Sequence, residues 1–442
     1  MNQLHEPRRD ERTMAAAFLQ CIEESCRRRH SLDAREYRCD ACGSLLDVEY
    51  EMPAPDRAAL LSLWQGRKAS GSVEDQSGVW RFREMLPFVG TGRGVVTLAE
   101  GNTPLVEAAR AGEWAGGVRL TVKHQGANPT GSFKDLGMTA CVSQGAILGC
   151  GVVACASTGN TSASMSAYAV RAGMKALVFV PAGKITPAKL AQALEFGAMV
   201  IEIAGNFDQA FELLRSFAPE MKLYLVNSLN PFRLEGQKTI IFEILERRGW
   251  RVPDYIVVPG GNLGNVSAMG KGLCELRRHG FIDRLPRLVV TQAEGANPFC
   301  RMLAAGAAEL TPVAEPQTEA TAIRIGNPVN WKKALRVIRA TNGLCESVSD
   351  HETFEAKAAL AGDGIGCEPA SATTVAGIRK LRKSGKIEAG ADVVAILTGN
   401  QLKDSESSLL RRSAEELARQ RVSVEADAGK LRSTLERVLG RN

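Results

Sequence analysis

Asn128-Pro129-Thr130-Gly131-Ser132-Phe133-Lys134-Asp135 sets a lysine where a loop runs into a helix. Pro129 removes a backbone donor and Gly131 relaxes the chain, so the segment reads as a tight loop. The run from Phe133 to Leu148, rich in Ala, Met, Leu and Cys, predicts the helix. A lysine held at that mouth is partly drawn out of water, which lowers its pKa and makes the amine nucleophilic towards an aldehyde. On these eight residues alone, a helix-terminal lysine facing water is the better reading. The loops elsewhere in the chain decide.

Downstream the pattern alternates. Short apolar strands are expected at 151–156, 176–180, 199–203, 223–226, 255–258, 288–291 and 393–397, separated by helical runs near 162–172, 187–196 and 207–217. Strands interleaved with helices predict an α/β fold, with two parallel-sheet domains wrapped by helices. In such folds ligands collect beyond the carboxyl ends of strands, and there the chain puts its unusual loops. Ser157-Thr158-Gly159-Asn160-Thr161-Ser162 follows one strand and opens a helix, a setting for a carboxylate, with Asn160 able to donate to a phenolate-type oxygen. Gly260-Gly261-Asn262-Leu263-Gly264-Asn265 follows another, and its glycines let backbone amides close on a phosphate. It is neither a dinucleotide fingerprint nor a P-loop, which points to a phosphate outside NAD or ATP. Ser228 and Arg233 in the 227–237 segment offer a hydroxyl and a guanidinium to a second anion, and Thr398 sits at the end of the last strand.

Near the N-terminus, Cys21, Cys26, Cys39 and Cys42 form C-x4-C-x12-C-x2-C, a spacing suited to a closed structural zinc site in a zinc-ribbon-like segment over 16–52, with Leu45–Tyr50 as its last strand and His30 as a substitute ligand. A metal-free ribbon of reduced thiols is the alternative. Residues 53–97 read as connecting helices, including one over Val79–Leu86. Residues 98–404 read as the catalytic body, with a smaller mobile subdomain about 140–226, and 405–442 as a C-terminal helical tail with Leu409, Leu410, Leu417 and Leu431 at helical spacing. The other seven of the 11 cysteines are scattered through apolar segments. Net charge is +6 without a basic block, so nucleic acid is not an expected partner. No apolar run approaches a membrane span and Met1–Arg12 is too polar for a secretory signal, which predicts no membrane and a cytoplasmic protein.

An amine nucleophile, a phosphate cradle, a ring-oxygen partner and a hydroxyl at a strand edge together describe a pyridoxal 5'-phosphate site. The chain resembles the threonine synthases, in the tryptophan-synthase-beta-like group. The resemblance rests on SGVWRFREMLP (77–87), EGNTPL (100–105), NPTGSFKD (128–135), STGNTSAS (157–164), NSLNPFRLEGQKT (227–239), GGNLGN (260–265), EPASA (368–372) and LTGNQLKD (397–404). It implies a cofactor held between two domains, with Lys134 as the Schiff-base lysine, Asn160 at the ring oxygen, Gly261, Asn262, Leu263, Gly264 and Asn265 at the phosphate, and Thr398 at the pyridine nitrogen. It implies Ser157, Thr158 and Thr161 at the substrate carboxylate, and Ser228 and Arg233 at the substrate phosphate. The implied reaction converts O-phospho-L-homoserine, a small phosphorylated amino acid, and water to L-threonine and phosphate, in a homodimer. A neutral hydroxyl at the ring nitrogen is expected not to enforce its protonation. Gln125 stands where the family usually has Glu, Leu136 where Arg is usual, and Gly399-Asn400-Gln401 where Gly-His-Gly is commoner. These departures keep open a resemblance to cysteate synthase, using O-phosphoserine and sulfite. From a different class, a zinc-ribbon binding module with a degenerate enzyme body is the other reading.

Overall fold

The computed structural model describes residues 16–35, 37–89, 94–183, 187–205, 207–404 and 421–440. Strands β1 (Ala16–Cys21), β2 (Arg29–His30) and β3 (Leu46–Glu51) form a small antiparallel sheet in the order β2-β1-β3. The strand expected at 45–50 thus lies one residue later. Helices α1 (Arg57–Arg67) and α2 (Val73–Gln76) lead to a 3-10 turn over Trp80–Met85, not the α-helix expected across 79–86. The Ser77 hydroxyl accepts from the Val79 and Trp80 amides, and Phe82 leaves helical geometry to meet the Trp64 and Phe242 rings edge-on. Ring packing outweighs the regular ladder here.

The body holds two further sheets. Strands β4 (Leu105–Glu107) and β5 (Arg119–His124) flank α3 (Ala109–Trp114), and α4 spans Lys134–Ile147. Then follow β6 (Val152–Ala156), α5 (Asn160–Arg171), β7 (Lys175–Pro181), α6 (Pro187–Glu195), β8 (Met199–Ile203), α7 (Phe207–Phe217) and β9 (Tyr224–Leu225). The second half contains α8 (Phe232–Arg247), β10 (Tyr255–Pro259), α9 (Gly264–Arg278), β11 (Arg287–Ala293), α10 (Pro298–Ala304), α11 (Trp331–Ala340), β12 (Leu344–Val348), α12 (Asp350–Gly362), α13 (Pro369–Lys383) and β13 (Asp392–Leu397). The larger sheet runs β12-β11-β10-β13-β5-β4, parallel except for β4; the smaller runs β8-β7-β6-β9, all parallel. Every residue of β10 is buried, and so are the last six of β11 and the last five of β13, as strands covered on both faces require.

Helix α4 is buried over most of its length and packs against α5 and α8. The close α4–α8 approach depends on Gly236, where a Cβ would lie 1.7 Å from the Leu136 carbonyl oxygen. Leu136 is therefore a core residue of this crossing. One cysteine pair departs from the expected scatter of thiols: Cys300 at α10 and Cys345 in β12 are joined by a disulfide. The two cysteines, 45 positions apart, are brought together where α10 packs on β12, and the pairing has no signature in spacing.

Residues up to Lys403 form one compact unit, and those from Asp404 form a second. In the second, α14 (Ala428–Val438) starts at Asp427, whose side chain accepts from the Lys430 amide; Leu431 on this helix is exposed. Met1–Arg12, Leu409, Leu410 and Leu417 lie outside the described residues. No helix among the described residues is long and apolar enough to cross a membrane.

Candidate active site

Lys134 is the first residue of α4. The loop before it is pinned to the end of β13: the Phe133 amide donates to the Thr398 carbonyl at 2.9 Å, and the Asn400 amide to the Gly131 carbonyl at 2.9 Å. Gly131 takes φ +83°, a conformation that favours glycine. β5 and β13 are sheet neighbours, so the lysine loop and the Thr398 loop emerge side by side. The Lys134 ammonium lies 3.9 Å from the Phe133 ring centroid. Burial, reinforced by the Arg233 guanidinium and opposed by the Glu368 carboxylate, brings its pKa down to about 7. The residue is half-buried, and the lowered pKa makes its amine deprotonable near neutral pH.

Asp135 fastens this loop to α5. Its carboxylate accepts from the Thr130 amide at 2.7 Å, the Thr130 hydroxyl at 2.5 Å and the Ser164 hydroxyl at 2.6 Å, and burial raises its pKa to about 6. Gln125 and Asn128 complete the scaffold: Asn128 Nδ2 donates to Gln125 Oε1 at 2.8 Å, and Gln125 Nε2 to the Thr103 hydroxyl at 3.0 Å. Gln125 is fully buried, so its departure from Glu bears on loop packing.

Three loops at strand ends complete the site. After β6, Ser157, Thr158, Asn160 and Thr161 are half-buried around the start of α5. After β10, Gly260 has no room for a side chain, since a Cβ would lie 2.5 Å from Val290. Leu263 takes φ +62°, and α9 begins at Gly264 without a side-chain cap. Asn265 Nδ2 donates to the Pro259 carbonyl at 2.7 Å, holding the turn shut behind its amides. This geometry is a cradle for an anion backed by a helix dipole. After β9, Ser228 is half-buried, and Arg233 is 3% exposed. Arg233 Nη1 donates to the Val226 carbonyl at 2.8 Å and Nε has no partner; among the described residues no carboxylate pairs with it. A buried guanidinium without a counter-ion is costly to hold and suits an incoming anion.

Residues with no role assigned above tie these pieces together. Asn330, before α11, donates from Nδ2 to the Ser228 carbonyl at 3.0 Å and from its amide to the Asn262 carbonyl at 3.2 Å, so it joins the loops after β9 and β10. Glu368, at the N-cap of α13, accepts from Asn160 Nδ2 at 3.0 Å and from the Thr398 hydroxyl at 3.1 Å. Ser371 lies 3.0 Å from that hydroxyl. The EPASA string contains both Glu368 and Ser371 and was the available signal; nothing in its spacing says what they touch.

Apart from this site, the four ribbon cysteines come together. Cys21 and Cys42 sulfurs are 3.4 Å apart, Cys26 and Cys39 are 3.7 Å apart, and all four lie within 4.8 Å of one another. His30, Cys39 and Asp40 form a second, overlapping group.

A family profile described as "Pyridoxal-phosphate dependent enzyme" matches residues 96–399. The threonine synthase of Methanocaldococcus jannaschii is 44% identical over 94% of this chain and 98% of its own length. That of Methanosarcina acetivorans is 47% identical over 88% of this chain and 93% of its own. Among solved structures, threonine synthase from Escherichia coli superposes with a TM-score of 0.67 at 19% identity, covering 95% of this chain and 99% of the other, which speaks to the fold. The processed threonine deaminase isoform 2 of Solanum lycopersicum reaches 0.60 at 18% identity, over 84% and 89%.

Proposed function

The chain belongs to the pyridoxal-phosphate dependent enzymes and, within them, to the threonine synthases, and from that membership we propose that it converts O-phospho-L-homoserine and water to L-threonine and phosphate. It is an enzyme of the phosphate-eliminating carbon–oxygen lyase type. The observation that carries the substrate is Arg233, a buried cation with no counter-ion among the described residues, whose charge also lowers the pKa of Lys134.

The site fits the cofactor. The uncapped glycine turn at 260–264, where a Cβ on Gly260 would collide, suits a phosphate, and the desolvated Lys134 amine, with its pKa lowered to about 7, suits an aldehyde. Gly261, Asn262, Leu263, Gly264 and Asn265 would hold the phosphate, Asn160 the ring oxygen and Thr398 the ring nitrogen. When bound, the cofactor supplies a sink for the negative charge that develops beside the substrate amine.

The chain's own groups do the rest. Ser157, Thr158 and Thr161 orient the substrate carboxylate at the positive end of α5. Arg233 and Ser228 hold the γ-phosphate and stabilise its charge as the Cγ–O bond breaks. The Lys134 amine, neutral above about pH 7, takes protons from Cα and Cβ and returns protons to Cα and Cγ, while water adds at Cβ.

We assign a structural zinc to Cys21, Cys26, Cys39 and Cys42, supported by four sulfurs within 4.8 Å and by the absence of an open position in such a set. A homodimer is the proposed assembly, with the exposed apolar side chains Met199, Leu213 and Phe217 as candidates for its contact. A cytoplasmic setting is proposed alongside it, supported by nine free cysteines, although the Cys300–Cys345 bridge runs against that pattern.

The deciding assay offers the purified enzyme O-phospho-L-homoserine and, separately, O-phosphoserine with sulfite, and identifies the amino acid released. Threonine and phosphate are expected from the first and no cysteate from the second. No threonine from the first arm would sink the reading.

A further inference from the structure

A backbone turn cradles an anion only when its amides face that anion and its carbonyl oxygens do not. Among the described residues, none of the amides from Gly261 to Asn265 meets an acceptor. Three carbonyls of the same turn are each held by a donor. Pro259 accepts from Asn265 Nδ2 at 2.7 Å, Asn262 from the Asn330 amide at 3.2 Å, and Gly260 from Gln292 Nε2 at 3.2 Å. Gln292 lies in β11, outside every motif that carries the resemblance.

The orientation of the Gln292 amide follows from its partners. Its Oε1 accepts from the backbone amides of Phe299 at 3.1 Å and Cys300 at 3.0 Å, at the start of α10. A backbone N–H can only donate, so the oxygen faces α10 and the NH2 group faces Gly260. Both neighbours are anchored. The Gly260 amide donates to the Thr291 carbonyl at 2.7 Å, which carries the β10–β11 pairing into the turn. Cys300 is bridged to Cys345 in β12, and Asn297 Nδ2 donates to the Ser347 hydroxyl at 3.0 Å. Gln292 and Gly260 are both buried, so solvent offers that carbonyl no ready substitute. The glycine at 260 serves this contact as well, since a Cβ there would lie 3.1 Å from Gln292 Cγ.

We propose that Gln292 is a positioning residue for the cofactor phosphate: by holding the Gly260 carbonyl back, it leaves the free amides of Gly261 to Asn265 as the face the phosphate meets. The proposal rests on the cofactor reading above. A glutamine suits the place because one planar group accepts from two amides and donates to a carbonyl. Without that donor, the Gly260 oxygen is free to turn towards the phosphate and repel it. The effect is confined to the phosphate, because Lys134 is set by a different loop, pinned to β13.

The test titrates the full chain, freed of cofactor, with pyridoxal phosphate and separately with pyridoxal, which has the aldehyde but no phosphate. Gln292→Met keeps much of the shape and removes both polar ends. Its affinity for pyridoxal phosphate is expected to fall about tenfold, as for a buried carbonyl left without a donor, with pyridoxal affinity held within about twofold. Gln292→Glu keeps an oxygen towards α10 and turns another towards Gly260. At mildly alkaline pH it should show the same selective loss, and it serves if the first variant misfolds. Equal losses for the two aldehydes would make Gln292 a structural residue only and overturn the proposal, and so would undiminished affinity for pyridoxal phosphate in both variants. Borohydride reduction and peptide mass locate each aldehyde in the wild type; neither of them on Lys134 would instead overturn the cofactor reading itself, and this proposal with it.

Discussion

Gly236 in α8 faces Leu136 in α4 so closely that a Cβ on the glycine would lie 1.7 Å from the Leu136 carbonyl oxygen. The obstacle is backbone, which cannot rotate away. Gly236→Ala must therefore push two buried helices apart and is expected to cost about 3 kcal/mol or more, beyond the usual range for overpacking. Leu136 is two residues from Lys134, so the variant should also retain cofactor less well. Thermal melting and cofactor absorbance check this; an unchanged melting temperature would contradict the crossing.

Arg233 separates activity from stability. Arg233→Leu removes the cation proposed to meet the substrate phosphate, and truncating one partner of a buried charged contact costs about 3 kcal/mol, roughly two orders of magnitude in kcat/KM. The same change removes an uncompensated buried charge, so the substrate-free protein should be no less stable, or more so. Arg233→Lys should not restore activity, lacking the planar fork that matches a phosphate. An Arg233→Leu protein that loses stability and keeps kcat/KM would reverse the assignment.

The lysine carries a pH signature. With its pKa lowered to about 7, the amine freed when substrate displaces it is protonated below that value, and kcat is expected to fall as pH drops through it. Stability of the cofactor-free protein follows with a definite sign. Between about pH 7 and the ordinary lysine range the unfolded chain binds the proton that the folded chain has released, so stability rises with pH across that window. Below it the cost of burying the charge is fully present. Lys134→Met should flatten this rise, which denaturant titration at several pH values measures.

Asp135 gives the opposite slope. Its folded pKa of about 6 lies above the ordinary carboxyl value, so the unfolded chain loses its proton first and stability falls between about pH 4 and pH 6. Asp135→Asn should remove that fall. It should also weaken the tie from Thr130 to Ser164, because an amide has one acceptor oxygen where three donors converge. A pH–stability curve identical to the wild type would show that the carboxyl is not held in this way.

For the ribbon, metal analysis is expected to find one zinc per chain, lost in Cys39→Ser and on strong chelation. Removal should lower the melting temperature, since metal binding contributes directly to the folding of small sites. The ribbon also leans on the body, with the Tyr50 hydroxyl donating to Glu235 at 2.5 Å and Lys332 paired with Glu23 at 2.8 Å. A protein with no metal and an unaltered melt after chelation would count against the zinc.

The alternation of apolar strands and helices and the polar loops at strand ends were legible from residue order, because each depends on neighbours within a few positions. So were Lys134 at a helix start and the glycine turn after β10. Local preference could not say that Trp80–Met85 would abandon the α-helix, since the rings that draw Phe82 away come from Trp64 and Phe242. Nor could it pair Cys300 with Cys345.

Residue order by itself determined which chemical groups this protein possesses and that they stand at the ends of strands. Tertiary structure alone decided what those groups face. The larger sheet places β13 beside β5, so Thr398 arrives next to the Lys134 loop from the far end of the chain. Glu368 and Asn160, 208 residues apart, meet because α5 begins just after β6 and the N-cap of α13 packs against Thr398 at the end of β13. The direction of a hydroxyl hydrogen is set by its partners, and partners this remote exist only once the sheets have formed.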